Sequence, residues 1–105
     1  MIKLIAMDFD WTLVDHTKGA EKGNALLAAT KAFGLKPSEV LAIGDNYNDV
    51  SMIDGKLGFV GACVGNADDN IKKIVKDGGG YVGDGFAHRG VLDVIRQLKK
   101  DGLID

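Results

Sequence analysis

Two short apolar runs, each ending in aspartates, constrain this chain more than anything else in it. Leu4 to Phe9 is broken by Asp8 and Asp10, and Val40 to Ile43 runs into Gly44 and Asp45. Neither run alternates polar with apolar residues, so each reads as a strand buried on both faces. Between them Lys22 to Phe33 places Leu26, Ala29 and Phe33 on one side, an amphipathic helix opened by Lys22-Gly23 and closed by Gly34 and Pro37. The polar stretch from Asp15 to Ala20 reads as a turn.

The pattern then repeats. Tyr47 to Ile53 reads as a short helix stopped by Gly55, and Gly58 to Val64 as a third strand. Asp68 or Asp69 caps a helix whose inward residues are Ile71, Ile74 and Val75. Gly78 to Gly80 is a turn into a short strand at Tyr81-Val82, and a last helix, about Arg89 to Lys100, turns Val91, Leu92, Ile95 and Leu98 inward. Strands alternating with helices predict an α/β fold: a Rossmann-like, partly open parallel sheet of about four strands with flanking helices. With 105 residues, the chain is expected to form a single domain.

In such a sheet ligands bind where the strands end at their carboxyl side, so the Asp8/Asp10 pair and the Asp45/Asp49 pair are expected at one spot. Carboxylates crowded together repel unless a cation joins them. The acids are thirteen aspartates and two glutamates, and short carboxylates suit caps, turns and metal ligation. A carboxylate at a strand end can attack phosphorus in line, while a second, two residues on, projects to the same side and moves protons. Asp8 and Asp10 have that spacing. Asp45 and Asp49 can complete the shell of a Mg²⁺ ion, and Lys22 can meet a phosphate.

A net charge of −2 gives nucleic acid little to hold, so a small ligand is the expected partner. No apolar run approaches the roughly 20 residues of a membrane span, no signal peptide is read, and a cytoplasmic location is expected. Cys63 lies in an apolar stretch and reads as a buried thiol. His16 and His88 show no ligand spacing.

Asp8-Phe9-Asp10-Trp11-Thr12 resembles the first motif of the haloacid dehalogenase superfamily. Lys22-Gly23-Asn24-Ala25-Leu26 is similar to its lysine motif, and Gly44 to Asp49 to its acidic final motif. The chain looks most like Cof-like sugar phosphatases and archaeal phosphoglycolate phosphatases, with Gly65-Asn66-Ala67 and Gly83-Asp84-Gly85 extending the likeness. The resemblance implies that Asp8 is transiently phosphorylated and that Asp10 is general acid, then general base. It also implies that Asp8, Asp45 and the Asp10 carbonyl bind Mg²⁺ with support from Asp49, that Lys22 neutralises charge, and that Thr12, Lys22 and Asn48 face the substrate. Trp11 stands where the family usually has glycine.

Full-length relatives carry a serine or threonine motif and a cap domain between the first two motifs, and here the chain passes from Val14 to Lys22 in a few residues. The expectation is a phosphatase acting on small phosphorylated metabolites, possessing a truncated core and no cap. The alternatives are a weak or inactive Mg²⁺- and phosphate-binding module, a receiver-like phosphoacceptor, or a fragment completed by another chain. Crossovers stepping one way leave the opposite face and the first-strand edge bare, so either the last helix folds back or a homo-oligomer or complementing chain covers them.

Overall fold

The computed structural model describes residues 1–7 and 19–104; side chains are described for 1–7, 22–86 and 88–104. Four strands form one parallel sheet in the order β1 (Leu4–Met7), β2 (Val40–Gly44), β3 (Val60–Cys63) and β4 (Tyr81–Val82). Leu4 pairs with Val40 and Met7 with Ile43, Leu41 with Val60 and Gly44 with Cys63. Helices α1 (Gly19–Ala32), α2 (Val50–Ile53), α3 (Asp69–Asp77) and α4 (Ala87–Lys100) connect or follow the strands. The α/β architecture expected from the alternation is the one found.

Because side chains alternate along a strand, the sheet has two faces with two separate cores. Val40, Ala42 and Cys63 face Met52 and Ile53 of α2 and Ile71 and Val75 of α3, with Leu26 and Leu27 of α1 packed alongside. Leu41, Ile43, Ala62 and Val64 face Val94 and Leu98 of α4. Three crossover helices therefore share one face, as steps in one direction require, and α4 folds back over the other. Past α4 the chain reaches the first residues, where the Ile2 N–H donates to the Leu103 carbonyl at 2.8 Å.

β2 is buried at every residue, in agreement with its unbroken apolar run. β1 is not buried on both faces as its sequence suggested: Ile5 and Met7 are 40% and 41% exposed. They pair in register with Leu41 and Ile43, so they lie on the α4 side, and α4 packs over the strands beyond them. Being apolar did not guarantee cover. Two helix positions also differ from expectation. Phe33 falls just after α1 and is exposed, and Leu92 faces solvent while Val94 takes the inward place. α4 puts Val91, Val94 and Leu98 on one stripe, and position 92 lies on the opposite side of a helix turning 100° per residue.

Candidate active site

The candidate cluster grows from the carboxyl end of β2. Gly44 ends the strand, and a 3-10 turn at Tyr47–Asp49 leads directly into α2. Short polar side chains knit this turn, as aspartate and asparagine do where backbone N–H groups lack helical partners. The Asn46 side chain accepts from the Asn48 N–H at 3.1 Å. In return Oδ2 of Asp49 accepts from the backbone N–H of Asp45 at 3.1 Å and of Asn46 at 3.2 Å. Gly44 makes this possible: a Cβ there would lie 2.4 Å from the Cβ of Asp49.

The other oxygen of Asp49 faces α1. Nζ of Lys22 donates to Oδ1 at 2.9 Å, and the side chains are 12% and 1% exposed respectively. Opposite charges withdrawn from water hold one another firmly because little solvent screens them, and removing either partner strands the other. α1 begins at Gly19, not at Lys22, so the lysine projects from the end of a formed first turn.

Structure thus brings Lys22, remote in sequence, to the turn that holds Asp45 and Asp49. Asn48 is exposed on the same turn. Asp8, Asp10, Trp11 and Thr12 lie outside the described residues, and β1 ends at Met7 opposite Ile43, at this same end of the sheet. Among the described residues no group of three or more His, Cys, Asp or Glu stands close enough to hold a metal ion. The available donors are carboxylate oxygens, the ligand type that Mg²⁺ prefers, and Asp49 has both of its oxygens engaged by N–H groups.

Asn46 and Ser51 are contributors that reading the sequence did not single out. The Asn46-x-x-Asp49 spacing is a capping signal that could have marked the first. Cys63 is buried, and burial pushes its thiol up from the ordinary value, with Lys72 and Lys76 pulling weakly the other way. It is a core side chain. His88 is exposed. A cavity of about 620 Å³ beside β4, lined by Lys72, Lys76, Tyr81 and Phe86, shares no residue with the cluster. No helix among the described residues is long and apolar enough to cross a membrane.

The haloacid dehalogenase-like hydrolase family matches residues 5–95. A phosphoglycolate phosphatase of Methanospirillum hungatei is 37% identical over 65% of this chain and 28% of its own length. One from Thermoplasma volcanium is 34% identical over 80% of this chain and 38% of its own. Among solved structures, a haloacid dehalogenase-like hydrolase from Bacteroides thetaiotaomicron superposes with a TM-score of 0.61 at 32% identity, covering 73% of this chain and 27% of that one. A Thermoplasma acidophilum protein gives 0.57 at 28%, covering 80% and 33%. The chain therefore spans well under half the length of each of these relatives. With the family matched across nearly the whole sheet, this chain belongs to the haloacid dehalogenase-like hydrolases.

Proposed function

We propose that this chain is a Mg²⁺-dependent phosphomonoester hydrolase acting on small phosphorylated metabolites through an aspartyl-phosphate. The observation that carries the reading is the buried Lys22–Asp49 pair at the carboxyl end of β2, with Asp45 on the same turn. Phosphoryl transfer asks a protein mainly for positioning and for fixed positive charge near the equatorial oxygens. A lysine ammonium held by a buried carboxylate is already aimed, so little reorganisation is needed when phosphate arrives. The phosphatase names of the relatives agree with this chemistry.

In the proposed sequence the Asp8 carboxylate attacks phosphorus, the bond to the ester oxygen breaks, and the Asp10 carboxyl gives that oxygen its proton. Asp10, now a carboxylate, takes a proton from water as the water oxygen attacks phosphorus, which returns the Asp8 carboxylate and releases phosphate. Lys22 offsets the charge on Asp8 and on the phosphoryl oxygens, and Thr12 and Asn48 face the substrate. A Mg²⁺ ion held by Asp8, Asp45 and the Asp10 carbonyl supplies further charge neutralisation when bound. Asp49 keeps Lys22 and the turn carrying Asp45 in place. A cytoplasmic setting accords with the free thiol of Cys63.

The test is a phosphatase screen over phosphoglycolate, sugar phosphates and nucleotides, with Mg²⁺ and with chelator, on the natural chain and on Asp8→Asn. Turnover is expected to require Mg²⁺ and to vanish in the variant. Hydrolysis that survives Asp8→Asn overturns the mechanism.

A further inference from the structure

We infer that Ser51 is a positioning residue that sets Lys22 for its work, an assignment that rests on the reading of Lys22 given above. A lysine side chain is a flexible four-carbon stem, and fixing its ammonium alone leaves the stem free to pivot. The stem is aimed only if the helix that carries it is fixed as well. Here the next residue provides that. The Gly23 N–H donates to Oγ of Ser51 on α2 at 2.9 Å.

The approach is as close as packing allows. Gly23 is buried, and a Cβ on it would lie 2.7 Å from Oγ of Ser51, and 2.8 Å from both Cβ of Ser51 and Cδ1 of Leu57. Any larger residue at this position pushes α1 away from α2. Two links therefore cross the same helix–helix contact: Lys22 to Asp49 through side chains, and Gly23 to Ser51 through backbone and side chain. Lys22 and Gly23 are consecutive, and Asp49 and Ser51 bracket the start of α2. The first link holds the charge. The second sets the distance and angle from which that charge is delivered, and displacements of about 1 Å at such groups can lower rates by roughly 10²-fold.

The experiment is a double-mutant cycle with Ser51→Ala and Lys22→Ala, read by kcat/KM on a phosphomonoester and by the ¹⁵N resonance of the Lys22 ammonium. Thermal midpoints are taken alongside. Ser51→Ala is expected to lower kcat/KM about tenfold in the natural chain, to add nothing once Lys22 is alanine, and to shift the Lys22 ammonium signal while that of Lys73 stays put. Equal losses in both backgrounds, or an unmoved Lys22 signal, overturn the assignment. Should Ser51→Ala not fold, Ser51→Cys keeps the side-chain size with a weaker acceptor and carries the same expectations. Absence of turnover in every variant, or turnover that ignores Asp8→Asn, counts against the phosphatase reading alone, because the ammonium signal still decides the positioning role.

Discussion

The two ends of the sheet are built to different standards. At β4 the strand is two residues long and its edge is closed by side chains: Nε2 of Gln97 donates to the Val82 carbonyl at 3.0 Å and to Oδ2 of Asp93 at 2.9 Å. That carboxylate also accepts from the Asp84 N–H at 2.7 Å, and the Tyr81 hydroxyl donates to Asp101 at 2.6 Å. At β1 the strand is apolar throughout, and two of its four side chains are substantially exposed. The candidate site lies toward the less finished end, where α1 brings Lys22 to the turn after β2. Short, capped strands are how proteins normally finish a sheet, and the contrast teaches that side-chain hydrogen bonds close one edge while the other is left apolar and half bare.

Five changes put that contrast under strain. The largest effect is expected in the covered middle: Ile53→Ala removes a fully buried side chain beneath β2 and β3 and should cost about 2 to 5 kcal/mol in denaturant unfolding. The same truncation at Ile5 should cost below about 1 kcal/mol. Equal losses would show that β1 is as well packed as the middle. Next comes Gly44→Ala, which drives a methyl into Asp49 and should destabilise by about 1 to 3 kcal/mol while lowering turnover, measured on one preparation.

Smaller effects belong to the β4 edge. Gln97→Ala leaves the Val82 carbonyl without its side-chain donor and should cost about 1 kcal/mol, with turnover unchanged. The Asp84 amide, then the Gln97 amide, hold the Asp93 carboxyl below its ordinary value of 3.8. A depressed folded pKa means the contribution is complete above the ordinary value and is lost as pH falls through the depressed one. Asp93→Asn should therefore flatten the acid limb of the stability profile, the smallest of these effects. An acid limb as steep as the natural chain's would remove Asp93 from the account of that edge.

Much of this was legible in the chain. Val40 to Gly44 is apolar without interruption and proves buried without interruption, because a helix lies on each side of it. Asp68 and the Ile71, Val75 spacing placed α3 to within a residue. That Lys22 and the segment after β2 share one rim was legible from the strand ends, but the ion pair between Lys22 and Asp49 was not, since the sequence pointed Lys22 at phosphate and Asp49 at a Mg²⁺ shell. What escaped depends on neighbours that sequence does not reveal. Ile5 and Met7 look like core residues and stand half bare, because burial is decided by which helix lies overhead. Leu92 and Val94 compete for the inward stripe of α4, and only the angle at which that helix meets the sheet chooses between them. Ser51 gave no signal at all, for its partner is a backbone amide twenty-eight positions away.

The split of the core into two faces also orders the assembly of the chain in time. One face gathers side chains from crossover helices that adjoin their strands, so each contact closes a short loop and can form as soon as its segment exists. The other face needs Leu98 to find Leu41 across most of the polypeptide. Until α4 has been synthesised and docked, Leu41, Ile43, Ala62 and Val64 lack the Val94 and Leu98 that cover them in the finished fold. A nascent chain released or stalled before that helix presents a bare hydrophobic sheet surface, the kind on which chaperones act and aggregates start.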